Sequence, residues 1–587
     1  MSDAGMLAVE RRDAALPLPI IAMMLFGTAS ACGGETIAPA IDSTAIMDSG
    51  ADSESPAEVL DDAYDDTGEV TEHCDDPTLE PVPWTIPADI APGPFFTGAV
   101  KPFVLPTWQG EVAYADLRKG CSSIVFLVHF PGYNDALFDT DPAPLVTDAR
   151  ADNHFVIVSD AEDPSEREAA LMRFGTRLDG ALRARIADPV ARAERQRRFH
   201  FATVRARAMD GGPGEHLRAW LAWAATPEAQ VDLGDRGMAP PPPPQVFGIR
   251  PDHRFDPGDA LLTAVGAGDS VGMAAWLGHH YAWRQRLEVA RREGQRVELH
   301  DATTTARRLR LDGIVPDSDS VYWDRVFVDI DITCNENNPF ACSEWDRLAH
   351  VYLCTSEDCV ERDEIARWVT PYWRRGEQAY RFDVSMFSRD FRPGENVRLE
   401  IELGPEWERA TPWHVAVGVV VVRDETAAEP PRGRIRLLGG GTFDASWNDR
   451  TVGVTTPVEA SRFAVLATIS GHGQQEGTGC AEWCDHRHRL RIDDIEVAML
   501  AHEGAAVGSA FGCARLAADG VLPGQWGNWP QTRAWWCPGL VVTPRFVRLD
   551  GPLKAGSTHV VSLESTLGSD TPPPGGDIAM SSWLLWW

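Results

Sequence analysis

Between Asp13 and Val100 the sequence contains neither lysine nor arginine, and lysine is scarce throughout. The formal net charge is -33 at pH 7, from 87 acidic and 54 basic residues. Holding a phosphate backbone takes a basic footprint, so nucleic acid is excluded as the expected partner. No Cys-x2-Cys pair occurs, which speaks against a zinc ribbon and leaves no metal site to expect. A spanning helix is also missing. The apolar stretch from Ala14 to Ala31 has signal-peptide length and is interrupted by Pro17 and Pro19.

What is present describes a large, mostly folded chain. Its 587 residues exceed one hydrophobic core, so two to four domains are expected. Tryptophan is abundant at 21 residues, chiefly as filling for β-sandwich cores and in part as platforms for sugar rings. Of 11 cysteines, the last eight fall in local pairs or near-pairs, the signature of disulfides in an oxidising compartment.

Arg11 and Arg12 precede the apolar stretch, which ends in Ala29-Ser30-Ala31-Cys32-Gly33-Gly34. That junction is similar to a bacterial lipoprotein cleavage box, with Ala29 in place of the usual Leu. Residues 1–31 are therefore read as a signal peptide and Cys32 as a lipidated residue, with ordinary signal-peptidase cleavage as the alternative. The chain is then exported: a cell-surface or periplasm-facing lipoprotein, or secreted. Residues 32–85 are acidic and poor in bulky apolar side chains, so they read as a disordered linker. Cys74, near its end, pairs with Cys121 or stays free.

Residues 86–294 read as an accessory α/β domain. Ile124 to Phe130 and His154 to Ser159 are buried-strand candidates, followed by helix-like stretches at Glu168–Leu178 and Val190–Arg207. The layout loosely resembles a thioredoxin type, but Pro131-Gly132-Tyr133-Asn134 replaces any Cys-x-x-Cys, so no redox role is expected. His129 reads as structural. Another helix-like run covers Val271 to Arg292, and His279 and His280, being adjacent on it, point apart.

From Gln295 onward the sequence alternates. Val326-Phe327-Val328-Asp329-Ile330-Asp331-Ile332 and Val397 to Leu403 are examples, as is His488 to Ile492. Period-two patterning of this length means antiparallel strands with one wet face. The fold class is mainly β: two sandwich domains, 295–430 and 431–587, behind the α/β domain. Two constellations stand out there. Cys342-Ser343-Glu344-Trp345-Asp346-Arg347 closes a loop opened at Cys334, and Gly479-Cys480-Ala481-Glu482-Trp483-Cys484 repeats the theme of an acid beside a tryptophan next to a cysteine pair. Rigid loops holding carboxylates suit hydrolysis, with one group to prepare water and another to steer or protonate.

These strings resemble the bacterial peptide-N4-(N-acetyl-β-glucosaminyl)asparagine amidase F family. Further matches are Thr370-Pro371-Tyr372-Trp373, Thr468-Ile469-Ser470-Gly471, and Gly527-Asn528-Trp529 through Arg533 to Trp536-Cys537-Pro538-Gly539, in family order over roughly residues 295–587. The resemblance implies two side-by-side antiparallel jelly rolls with the substrate cleft between them. It implies hydrolysis of the amide joining Asn to an N-linked glycan, on glycoproteins or glycopeptides, by a monomer without metal or organic cofactor. Asp346 takes the primary catalytic carboxylate's place and Glu482 the second acid's, with Arg347 and Arg533 in the same network. Trp345, Trp483, Glu406, Trp407, His472 and Trp535 are the implied substrate-binding set. Cys334–Cys342, Cys480–Cys484 and Cys513–Cys537 match the family's disulfides, and Cys354–Cys359 is an additional clip. There are departures: His472 stands for a Trp, Gln474 for a His, and Glu406-Trp407 aligns only across a short insertion. They favour a rival reading, a carbohydrate-binding or altered-specificity lipoprotein of the same fold. A copper oxygenase is a second rival, raised by His486 and His488 at strand spacing.

Overall fold

Ile124-Val125-Phe126-Leu127-Val128 is an unbroken apolar run, and it becomes the centre of a sheet buried on both faces. Strands β1 (Ile124–His129), β2 (His154–Ser159), β3 (Phe199–Phe201), β4 (Val246–Ile249) and β5 (Phe255–Pro257) lie in the order β3-β2-β1-β4-β5. β1, β2 and β3 are parallel, while β4 pairs antiparallel with β1 and β5 antiparallel with β4. Ile124, Phe126 and Val128 face one core, Val125 and Leu127 the other. Helices cover the faces, as strands of this composition require. Helix α1 (Pro164–Arg185) starts on an Asp163 carboxylate that accepts from Ser165 N at 2.8 Å, with Pro164 in the first turn. The helix expected over Val190–Arg207 is instead α2 (Pro189–Gln196) followed by β3. Phe199 and Phe201 gain more by burying at the sheet edge than a helix would allow them. Helix α3 (Ala267–Ala290) packs Val271, Ala274 and Leu277 into the same core as α1.

The computed structural model describes residues 74, 78–80, 99–118, 121–226, 244–257, 267–305, 307–333, 346–372, 377–404, 413–473, 480–501, 507, 509–525, 528–551, 553–567 and 575–587, all within one unit that begins at Thr71. The readings of residues 1–31, of Cys32 and of most of the acidic linker lie outside the described residues. So do Cys334, Cys342, Trp345, Glu406, Trp407 and Gln474.

The first β region has β6 (Gln295–Thr305), β7 (Arg308–Ile314), β8 (Arg325–Thr333), β9 (Leu348–Cys354), β10 (Arg362–Val369), β11 (Glu377–Asp383), β12 (Asn396–Leu403) and β13 (His414–Val422). They form two antiparallel sheets, β11-β8-β13-β6 and β10-β9-β12-β7, with one core between them. The outer face of β8 is not wet, contrary to the alternation. Asp329 is fully buried there, receiving Arg296 at 2.9 Å and Arg381 at 2.7 and 2.9 Å, while Arg291, just past α3, reaches Asp331 at 2.6 Å. A charge in a strand pattern marks a solvated face only when nothing packs on it, and here the end of α3 does.

The second β region has β14 (Gly433–Arg436), β15 (Thr451–Thr455), β16 (Phe463–His472), β17 (His486–Ile492), β18 (Ile495–Leu500), β19 (Arg545–Leu549), β20 (Thr558–Leu567) and β21 (Asp577–Trp586). Its sheets are β14-β21-β16-β19 and β15-β20-β17-β18. Val465, Ala467 and Ile469 fill its own core. On the opposite face of the same sheet Ala464, Leu466, Trp583 and Leu585 join the core of the first region, so the two regions pack side by side.

Candidate active site

Asp346 and Arg347 come immediately before β9. The backbone there is held by Thr370, whose hydroxyl accepts from Arg347 N at 2.9 Å and whose N–H donates to Arg347 O at 2.8 Å. This brings Asp346 beside Tyr372, just past the end of β10. From the second region come Glu482, on the short helix α4 (Cys480–Trp483), and Arg533, from the segment clipped by the Cys513–Cys537 disulfide. Cys480–Cys484 pins α4, and Cys354–Cys359 and Cys74–Cys121 are also bridged.

Arg533 is fully buried. Its Nη2 donates to Tyr372 Oη at 3.0 Å and to Asn528 Oδ1 at 2.6 Å, and its Nη1 donates to Gln531 O at 2.8 Å. Its Nε lies 3.6 Å from Glu482 Oε1. The guanidinium is thus fixed by neutral acceptors, and its charge is left to act on the two carboxylates. Trp483 and Trp536 flank it, with ring centres 5.0 and 4.9 Å from the guanidinium carbon.

The carboxylates compete for a proton. Burial raises Asp346, against the pull of Arg533, a hydrogen bond from Tyr372, and Arg347. Glu482 is pushed up to about 7, first by burial and then by the Asp346 charge, against Arg533 and the Gly473 N–H. Burial, with Asp346 next, lifts the Tyr372 phenol well above its ordinary value, so it stays protonated and available as a donor. Two buried carboxylates of raised proton affinity thus lie together, arranged around a fixed cation.

His472, at the end of β16, stacks on Trp536 with ring centres 5.0 Å apart and bonds Ser470 Oγ at 2.9 Å. Burial, followed by Arg367, His350 and Arg533, pushes it down to about 3, so it is a neutral wall of the site. Trp535 is not with this group. It packs in the core of the second region and its indole donates to His486, so it does not line the cluster as a sugar platform. The change of course is local: Trp535 has φ 75°, a turn conformation, and its ring joins the core of the second region.

A family model for peptide-N-glycosidase F, C-terminal part, matches residues 442–585. The asparagine amidase F of Elizabethkingia miricola is 28% identical over 245 residues, 38% of this chain and 63% of that enzyme's length. The chain thus matches just under two thirds of that relative. Among solved structures, PNGase F from Flavobacterium meningosepticum is 23% identical with a TM-score of 0.38, covering 50% of this chain and 96% of that one. PNGF-II is 11% identical with a TM-score of 0.39, covering 58% and 74%. Over its C-terminal part the chain is similar to peptide-N-glycosidase F.

Two residues of the cluster, Tyr372 and Asn528, lie inside the PNGase F-like strings without having drawn a role from sequence. A signal was available: each is a polar residue next to a tryptophan, Pro371-Tyr372-Trp373 and Gly527-Asn528-Trp529, and a buried polar group needs a partner. The α/β region also reaches the site from behind. Tyr372, Cys513, Trp529 and Cys537 share one core with Phe103, Phe126 and Met273, so the Arg533-bearing segment rests on that region. His129 bonds Ser159 Oγ and Asp135 at 2.8 Å each, but Ser159 is fully buried and the acid exposed. That inverts what a nucleophile needs, so the chain of three is structural.

A cavity of about 720 Å³ opens between the two β regions, lined by His350, Tyr352, Arg362, Glu364, Arg367 and Trp583 among others. Its buried charges are saturated from within. Glu364 accepts from His350 at 2.7 Å and from Arg367 at 2.7 and 2.6 Å, and Arg367 also donates to Ser470 and Ala579. The group acts as a rivet between the regions.

Proposed function

We propose that the cluster hydrolyses the amide bond between an asparagine side chain and the first N-acetylglucosamine of an N-linked glycan, converting Asn to Asp. The observation that carries this reading is the meeting of two buried carboxylates, both of raised proton affinity, with a buried, fully oriented guanidinium. Asp346 takes a proton from water as the water oxygen attacks the amide carbon. The carbonyl oxygen becomes an oxyanion, which Arg533 or Arg347 stabilises through oriented N–H groups. Glu482, holding its proton near neutral pH, delivers it to the departing nitrogen as the carbon–nitrogen bond breaks. The products are an Asp-containing peptide and a glycosylamine. Trp483 and His472 form walls for the sugar. An ionised carboxylate supplies the base, so no cofactor enters this scheme, and the substrates are N-glycosylated proteins or glycopeptides met by an exported, disulfide-bonded protein.

The test is incubation with a denatured N-glycoprotein in heavy-oxygen water. Released glycan together with heavy oxygen in a new Asp at the glycosylated position supports the reading. Intact glycopeptide after prolonged incubation refutes it and leaves a carbohydrate-binding protein of the same fold as the reading to take up.

A further inference from the structure

A line of hydrogen bonds crosses the core of the second β region and ends next to Glu482. Trp447 Nε1 donates to Ser565 Oγ at 2.6 Å, Ser565 Oγ meets His488 Nδ1, His488 Nε2 lies 2.9 Å from His486 Nδ1, and His486 Nε2 lies 2.9 Å from Ala481 O. A branch joins at His486, where Trp535 Nε1 donates to Nδ1 at 3.2 Å. Both imidazoles are fully buried.

The protons in this line have one arrangement. A carbonyl only accepts, so His486 carries its proton on Nε2. An indole only donates, so His486 Nδ1 is the acceptor for Trp535 and also for His488 Nε2–H. His488 Nδ1 then accepts from the Ser565 hydroxyl, whose oxygen accepts from Trp447. Both rings are neutral, every nitrogen is engaged in a protein hydrogen bond, and none is left over for a metal. Burial, then His486 and Arg450, keeps His488 unprotonated. A fully satisfied buried network of this kind fixes geometry.

The two ends of the branch carry the chemistry. Ala481 precedes Glu482, and Trp535 stands two residues after Arg533. The same two segments also meet through their backbones, with Ala534 N donating to Glu482 O at 2.8 Å and Gly471 N to Ala534 O at 3.2 Å. Gly471 has no side chain because the Ala481 carbonyl and the His486 ring occupy that space.

We infer that His486 is a positioning residue for the acid–arginine pair: one ring nitrogen holds the Glu482 helix, the other holds the Arg533 turn, and the distance between the two charges is set at this buried point. The inference rests on the proposed function for its meaning in turnover, but not for its geometry. The groups facing Glu482 whose charge would change its titration are Asp346 and Arg533.

The test uses three variants of the full chain. In His486→Gln the amide nitrogen reaches the place of Nε2 and keeps Ala481, but Trp535 loses its acceptor. In His486→Asn the amide oxygen sits near Nδ1 and keeps Trp535, but Ala481 is released. His486→Phe loses both. The readouts are kcat and KM on an N-glycopeptide, and the Glu482 titration followed by carboxyl NMR of carbon-labelled glutamate. We expect kcat to fall ~10- to 100-fold in His486→Phe with KM within about twofold, as for a misplaced catalytic group. We expect the Glu482 midpoint to move by about 1 pH unit in His486→Asn and to stay near wild type in His486→Gln. A merely structural role would lower thermal stability and leave the midpoint and the kcat of folded molecules unchanged in all three, and that result overturns the inference. If His486→Phe does not fold, unchanged midpoints in the Gln and Asn variants overturn it equally. If the wild type leaves glycopeptides intact, the functional reading fails while the titration still decides this one.

Discussion

Replacing Glu482 by Gln is expected to stabilise the protein above neutral pH while removing activity. In the folded chain Glu482 is lifted from 4.5 to about 7, chiefly by burial. The sign follows from proton counting. Between those two values the native protein still holds a proton that the unfolded chain has released. The stability tied to this group is therefore complete below the lower value and lost as pH rises through the upper one. At about 1.4 kcal/mol per pH unit, a buried ionised Glu482 costs roughly 3 kcal/mol by pH 8. The side chain is 8% exposed, so solvent screening removes little of this. Gln keeps the shape and never ionises. Arg533 is not orphaned by the change, since Tyr372, Asn528 and Gln531 hold it and its contact with Glu482 is 3.6 Å. Urea denaturation at about pH 4.5 and about pH 8.5 checks the sign: parity at the lower pH, and an advantage for Glu482→Gln approaching ~3 kcal/mol at the higher one. Deglycosylation should fall ~100-fold or more, because the amide cannot deliver a proton. Equal stability of the two proteins at both pH values, or a variant weaker at the higher one, would falsify the assignment of Glu482 as a strained buried acid.

Asp346→Asn keeps the shape of the base without its function, so turnover should drop by ~100-fold or more with circular dichroism and thermal midpoint unchanged; near-full activity would remove Asp346 from the scheme. Tyr372→Phe deletes a hydrogen bond that holds the Asp346 proton affinity down, so the acid limb of the kcat–pH profile should move to higher pH, and an unmoved limb would show that the phenol does not serve the base. Gly520 has φ +113° and its missing side chain would meet Trp283, so Gly520→Ala should cost about 1–3 kcal/mol and loosen the clipped segment that carries Arg533, read as a lower thermal midpoint and faster proteolysis there; a wild-type profile would mean the α/β region does not brace that segment.

The parts legible in the sequence are those whose signal is local. Unbroken β1 and alternating β8 announce their strands because side-chain period maps directly onto faces. Asp346, Glu482 and Arg533 drew notice through the short local strings in which they sit. What was not legible depends on contacts between distant segments. Asp329 looks like a solvated charge until Arg291, Arg296 and Arg381 arrive from three other places in the chain. Tyr372 is one residue of a quoted motif until Asn528 and Arg533, more than 150 residues away, give its hydroxyl a task.

Trp535 shows why the gap is physical and not a matter of finer patterning. Among Arg533, Ala534, Trp535 and Trp536, chemistry alone makes both tryptophans candidates for a sugar face. The four residues form a tight turn in which Arg533 and Trp536 bridge, and the positive φ at Trp535 breaks the side-to-side order a strand would impose. A bulky residue in the left-handed region costs energy unless the surroundings over-determine it. Here they do, since the indole N–H has a buried acceptor at His486 and its rings fill the core. The strain at Trp535 and the hydrogen-bonded line through His486 are two halves of one arrangement. The turn can present Arg533 and Trp536 to the acids because its remaining large side chain has a buried place to go. Trp535→Phe, which keeps the ring and deletes the donor, should therefore leave the fold intact and the Glu482 titration near wild type, as in His486→Gln. A midpoint displaced by about 1 pH unit, as expected for His486→Asn, would mean that the indole and the imidazole do not act as one unit.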